Sequence, residues 1–146
     1  MTPKRGKPLD RSAMHLLHRA GQCATDTFMA EANSSGLTPR QFAVVTTIAE
    51  EEGLTQTELV ERTGIDRSTL AEIVGRLLGR GLIHRKRAKE DARAYAIKLT
   101  AQGWKSLREA EPAATATDAR LLAALPPSKR QDFIDLLGLI VGTVRK

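Results

Sequence analysis

The chain has 146 residues and carries 23 Lys and Arg against 17 Asp and Glu, a formal net charge of +6. That length suits one domain with a real core, and 41% hydrophobic with 27% charged residues excludes a disordered tail. No apolar run approaches the roughly 20 residues of a bilayer span, and no apolar core follows the basic N-terminus to make a signal peptide.

Helix starts recur in chain order. Leu9, Asp10 and Met14 open the first with Asp10 as cap, and Met14, Leu17, Gly21, Ala24 and Phe28 continue it as a narrow seam. Leu37-Thr38-Pro39-Arg40-Gln41-Phe42 combines an N-cap, a proline at the first helical position, a capping-box Gln and a hydrophobic staple. Phe42, Val45, Ile48 and Ala49 extend this second helix. Thr55-x-x-Glu58 opens a short third helix that ends at Thr63-Gly64, and Asp66 caps a fourth whose stripe is Leu70, Ile73, Val74, Leu77 and Leu78. Gly36, Gly53 and Gly81, each followed by Leu, are expected left-handed helix stops. Within the fourth helix, Gly75 and Gly79 are expected at close helix packing, with close backbone approach to a ligand the second choice.

Leu82 to Arg87 and Tyr95 to Leu99 alternate as strands, which predicts a hairpin with a long tip. A fifth helix starts near Ala101, after Thr100, with a kink expected near Pro112. A sixth follows Pro126-Pro127 and carries Phe133, Leu136, Leu137, Ile140, Val141 and Val144. The whole is mainly α with a small β-hairpin. The third and fourth helices form a helix-turn-helix candidate, and the hairpin after them is what a winged helix needs. The first and last helices have more apolar surface than so small a module covers, which suits pairing with a second chain.

Charge follows the same division. Residues 62–98 hold ten cations and four anions, a net +6, whereas residues 12–61 have a net −5. The positive charge is a local patch. An anionic partner or a merely solvated face both fit it. One Trp, one Tyr and three Phe are too few for a single-strand binder that stacks bases on aromatic platforms.

Taken in order, these segments resemble the MarR family (multiple antibiotic resistance regulators) of winged-helix transcription factors. The resemblance runs from 37 to 103 on Leu37–Phe42, Leu54–Leu59, Asp66–Leu70, Arg80-Gly81-Leu82-Ile83, Asp91-Ala92-Arg93 and Lys98–Gly103. It implies a homodimer on a palindromic double-stranded DNA operator, usually a repressor and often released by a small molecule. The expected organisation is a basic flexible tail at 1–9 and a single domain at 10–146. Its winged helix-turn-helix lobe spans 37–100, flanked by N- and C-terminal dimerisation helices at 10–35 and 101–146.

In a helix-turn-helix the start of the second helix enters the major groove. Here it presents Arg67, Ser68 and Thr69, then Glu72 and Arg76. Either arginine suits guanine, and the hydroxyls suit a base edge or a phosphate. Glu72 either accepts from cytosine N4 or pairs with Arg76 four residues on. Thr55 and Gln56 are candidate phosphate contacts at a helix N-terminus. Arg85, Lys86, Arg87, Lys89 and Arg93 make the hairpin basic. In the family's wing the aspartate of Asp-x-Arg holds a minor-groove arginine, which implies those roles for Asp91 and Arg93. The other cations read as phosphate contacts.

The family's effector site, lined by the first, second and fifth helices, points to His18, Arg19, Gln22, Phe28, Arg40 and Trp104. A cationic lining with a few aromatics suits an aromatic acid or an acyl thioester. His15-x-x-His18 lacks a third metal ligand, one cysteine cannot form an internal disulfide, and no metal or other cofactor is expected. Cys23 lacks the tyrosines of the family's hydroperoxide sensors, since Tyr95 alone is present, and reads as a buried thiol. No catalytic constellation is present, so the reading is a non-enzymatic, cytoplasmic DNA-binding regulator. The alternatives are a protein-interaction module or an architectural DNA binder indifferent to sequence.

Overall fold

Residues 7–87 and 94–144 are described by the computed structural model. The helices are α1 (Ala13–Glu31), α2 (Pro39–Glu50), α3 (Gln56–Thr63), α4 (Arg67–Gly79), α5 (Ala101–Ala123) and α6 (Arg130–Val144). Between α4 and α5 lie the antiparallel strands β1 (Ile83–Arg87) and β2 (Tyr95–Leu99).

Local chemistry sets most boundaries. In α2 the Gln41 amide donates to Thr38 Oγ1 at 3.2 Å and the Thr38 amide donates to Gln41 Oε1 at 3.1 Å, a complete capping box. A second box, between Thr55 and Glu58, opens α3. The start of α1 differs from expectation. Pro8–Arg11 forms a 3-10 turn that takes up Asp10, and Ser12 becomes the cap, accepting from the His15 amide at 3.2 Å. Gly36, Gly53 and Gly81 have the positive φ expected of them. α5 runs unbroken through Pro112.

The core fills the space among α2, α3, α4 and β2. Val44, Val45, Ile48, Leu59, Leu70, Val74, Leu77 and Ile97 are all but fully buried, each side chain worth about 1.5–3 kcal/mol against exposure. Leu54 bridges to Ile97, with Gly53 N–H donating to the Ile97 carbonyl and Ile97 N–H to the Leu54 carbonyl, both at 3.0 Å. Arg62 and Glu51 pair at 2.7 Å between α3 and the end of α2.

α1 and α5 lie together beside this lobe, linked by Arg120 and Glu31 at 3.4 Å. Phe28 at the end of α1 meets Phe42 of α2 with ring centroids 5.4 Å apart. Of the predicted α1 seam, Met14, Leu17 and Gly21 remain exposed in the protomer. Cys23 is exposed as well, contrary to the buried thiol expected, because it lies on a face of α1 that the lobe does not cover. α6 buries none of its residues. Among the described residues no helix is long and apolar enough to cross a membrane.

Candidate nucleic-acid interface

α3 ends on Gly64, whose φ of +71° is the left-handed turn that glycine adopts most readily, and Gly64 N–H donates to the Val60 carbonyl at 2.9 Å. Two residues later Asp66 caps α4. Its Oδ1 accepts from the Thr69 amide and its Oδ2 from the Thr69 hydroxyl, both at 2.9 Å. These bonds hold the Asp66 carboxyl below the ordinary aspartate range, and the nearby Arg40 guanidinium lowers it further. The cap is therefore charged at neutral pH. Its contribution is complete above the unfolded-state pKa and is lost as pH falls through the lower folded value.

α4 turns Leu70, Ile73, Val74 and Leu77 inward and leaves Arg67, Ser68, Ala71, Glu72, Gly75, Arg76 and Gly79 exposed. Thr69 is tied into the cap, so Arg67 and Ser68 are the exposed polar groups of the first turn. Glu72 lies 3.5 Å from Arg76, both about equally open to solvent, which matches the pairing alternative. Close helix packing does not explain Gly75 and Gly79. A Cβ on either would meet nothing within 4 Å, since both lie on the solvent face.

The Thr55 hydroxyl is likewise committed. It accepts from the Glu58 amide at 3.2 Å and donates to Glu58 Oε1 at 3.1 Å. Gln56 beside it is half-buried. On the hairpin, Arg85, Lys86 and Arg87 are exposed, and the Arg85 guanidinium lies 5.0 Å from the centre of the Tyr95 ring. Lys89, Asp91 and Arg93 fall outside the described residues.

The six expected effector residues are spread over separate places in one protomer. Trp104 lines a groove of about 400 Å³ between α2 and α5, together with Phe42, Thr46, Glu50, Leu107 and Glu111. Phe28 is buried beside it, against Phe42. His18 and Gln22 sit in a hollow on α1, where Gln22 Nε2 donates to Asp26 Oδ1 at 2.8 Å, and Arg19 is exposed on the same helix. Arg40 borders a third hollow with Thr63, Gly64 and Asp66, beside the helix-turn-helix turn. The groove at Trp104 is thus not cationic. Its charged lining is Glu50 and Glu111, because Arg40 at the start of α2 faces the turn instead. The Thr46 hydroxyl in this groove is buried and has no partner among the described residues. Sequence reading missed Phe42, Thr46 and Glu50 as a lining. Their spacing of four along α2, opposite Trp104, Leu107 and Glu111 on α5, is the signal that carries it.

Comparison with known proteins agrees with this architecture. Residues 35–94 match the sequence profile of the MarR family. Over 135 residues the chain is 32% identical to the transcriptional regulator HosA of Escherichia coli O157:H7, covering 92% of this chain and 98% of that protein. The PcaV transcriptional regulator of Streptomyces coelicolor, solved with its natural ligand, superposes with a TM-score of 0.87 at 29% identity, covering 96% and 99% of the two chains. The transcriptional repressor CouR, bound to a 23-mer DNA duplex, superposes at 0.82 with 30% identity over 91% and 94% of the chains. CouR has also been solved with p-coumaroyl-CoA, at 0.83 and 28% identity over 94% and 97%. The winged helix-turn-helix, the basic hairpin and these matches along nearly the full chain give one conclusion: this protein belongs to the MarR family of transcriptional regulators, DNA-binding proteins and not enzymes.

Proposed function

We propose that the protein is a homodimeric repressor that binds a palindromic operator and is released from it by a small aromatic effector. The observation that carries this reading is the exposed face of α4, where Arg67, Ser68, Glu72 and Arg76 stand among the small residues Ala71, Gly75 and Gly79. A helix face this smooth can lie deep in a major groove, leaving the longer side chains to reach base edges. Arg85, Arg87 and the wing-tip residues Lys89, Asp91 and Arg93 supply backbone and minor-groove contacts in this proposal, as the family resemblance implies. Because both the hydroxyl and the amide of Thr55 are used within its capping box, Thr55 serves by fixing the helix start, and Gln56 meets a phosphate through its backbone amide and the α3 dipole. Thr69 serves by holding Asp66. Arg40, exposed beside the turn, takes a phosphate as well.

The decisive experiment measures binding to the DNA upstream of the protein's own gene against random duplex over a salt series. Specific binding with a steep salt slope supports the repressor. Equal affinity for both duplexes would point to an architectural protein, and no binding to a protein-interaction module. In the same assay Arg67→Ala is expected to lower operator affinity on the order of ten- to a hundredfold and to relax base preference at one position of each half-site. Arg40→Ala is expected to weaken all duplexes alike and to reduce the salt slope by about one per site. If Arg40→Ala changed specificity and Arg67→Ala did not, the two assignments would be reversed.

Gly75→Ala separates fold from function. With open space at its Cβ, alanine is expected to raise thermal stability, by up to about 1 kcal/mol from helix propensity. The added methyl stands on the groove-facing side and is expected to weaken operator binding. A variant that gained stability and kept full affinity would remove the close approach of this helix from the proposal.

For the effector, the groove at Trp104 has the right chemistry for a planar ring, with Phe42 and Leu107 as walls and the unpartnered Thr46 hydroxyl for a polar substituent. Glu50 and Glu111 repel a carboxylate, so an aromatic acid or acyl thioester enters ring first, its anionic end directed away from them. PcaV with its ligand and CouR with p-coumaroyl-CoA are the parallels. His18 and Arg19 on α1, outside the groove in one protomer, are the candidate partners for that anionic end. Ligand binding then changes the spacing of the two lobes relative to half-sites roughly one helical turn apart.

A further inference from the structure

A second hollow, of about 410 Å³, lies on the opposite flank of α5 from Trp104. It is closed by three segments: the α1–α2 connection at Asn33 to Gly36, the end of α4 at Arg80, and the first turns of α5. We infer that this hollow is a binding site for a small oxyanion, the phosphate or carboxylate group of a small molecule.

The side chains that face it are almost all donors. Arg80 Nη1 donates to the Gly36 carbonyl at 2.9 Å. A Cβ on Gly36 would stand 2.7 Å from Arg80 Nη2, so the guanidinium lies directly against the connection. That anchor fixes the fork while leaving most of its five N–H groups to bind elsewhere. Lys105, Gln102 and Asn33 are exposed at the same hollow, and none has a side-chain partner among the described residues. Glu109 is the opposing carboxylate. It follows Lys105 by four residues on α5, yet no ion pair joins them, leaving two cations against one anion.

Ser106 is the most telling member. It is only 5% exposed and lines the hollow, and its hydroxyl has no hydrogen-bond partner among the described residues. A hydroxyl inside a helix ordinarily bonds back to the carbonyl four residues earlier, as Thr47, Thr63 and Thr117 do at 2.7 Å. Ser106 forgoes that bond. Unlike the Thr46 hydroxyl, the Ser106 oxygen is not sealed from solvent; it opens into the hollow, where an oxyanion held between Arg80 and Lys105 would accept its proton. Charged acceptors make the stronger hydrogen bonds, and a restrained guanidinium loses little freedom on binding.

The test is a titration of the intact protein with sodium phosphate, and separately with sodium acetate, followed by amide NMR at constant ionic strength. Saturable shifts confined to residues 33–36 and 102–109 are expected with at least one anion, and the one that saturates at lower concentration identifies the group. Lys105→Gln and Ser106→Ala, neither with a side-chain hydrogen bond or ion pair to lose among the described residues, are expected to weaken that binding about tenfold each. Shifts that grow linearly without saturating, or saturable binding unchanged in both variants, would overturn the site. Neither operator nor effector enters the measurement, so its failure leaves the DNA-binding reading where it stands.

Discussion

Replacing Leu136 and Ile140 together by aspartate is expected to yield a folded winged-helix lobe that sediments as a monomer and loses operator binding. α6 is 15 residues long and buries none of them, although Phe133, Ile134, Leu136, Leu139, Ile140, Val141 and Val144 are all large and apolar. A lone helix of that length is marginal in water, and each such side chain gains about 1.5–3 kcal/mol on burial. In the proposed homodimer a second copy of the chain supplies the missing surface, and the exposed Leu9, Met14, Leu16 and Leu17 near the other end of the chain add to it. Two carboxylates at the centre of such an interface lose their hydration without gaining a partner. On the palindromic operator proposed above, one lobe alone forfeits the effective concentration by which the second half-site is held. Analytical ultracentrifugation and operator binding read the two consequences together. A variant that remained dimeric would show that α6 is not the interface.

Gly103→Ala is expected to have the largest effect on stability of any single methyl addition in the described structure. A Cβ there would collide with the carbonyl oxygen and carbon of Leu82 and press on Leu99 Cβ. The obstacle is backbone, and it cannot yield. Leu82 N–H donates to the Leu77 carbonyl and the Leu82 carbonyl accepts from the Thr100 amide, both at 3.0 Å, while Thr100 Oγ1 donates to the Gly81 carbonyl at 2.6 Å. Accommodating the methyl means pushing α5 away from the junction between the recognition helix and the wing. The expected cost is at or beyond the top of the usual range for overpacking, about 1–3 kcal/mol. Denaturant unfolding measures it, with Gly75→Ala as the control for the same chemical change in open space. Equal midpoints for Gly103→Ala and the parent would mean that the close approach is absent.

The local devices of this fold were readable in the sequence. Thr38 with Gln41, Thr55 with Glu58, and Asp66 each form the cap that their spacing announces, because a capping box needs only residues three apart. Ser12 escaped notice because Leu9-Asp10 offered the same pattern two residues earlier, and only the 3-10 turn at Pro8 decides between them. The bridge from Leu54 to Ile97 joins residues 43 apart and has no local signature. Side-chain direction was the harder part of the site. Arg40 shares α2 with Phe42 and Thr46, yet faces the helix-turn-helix turn while they face Trp104. The groove at Trp104 therefore carries Glu50 and Glu111 where a cationic lining is expected from the sequence, and α2 and α5, without α1, line it in the protomer.

Ile97 has neighbours on both sides. Across one edge it faces Arg85 of β1, and across the other it exchanges two hydrogen bonds with the Gly53–Leu54 segment just ahead of α3. The wing is therefore bolted to the entrance of the helix-turn-helix by a strut of backbone, and it cannot tilt on its own without breaking a buried pair of bonds. Reading helix and wing make up a single rigid tool. In the proposed homodimer, a signal arriving through α1 or α5 carries that tool nearer to its twin or farther away, and it leaves the grip of each head on its own half-site unaltered in shape.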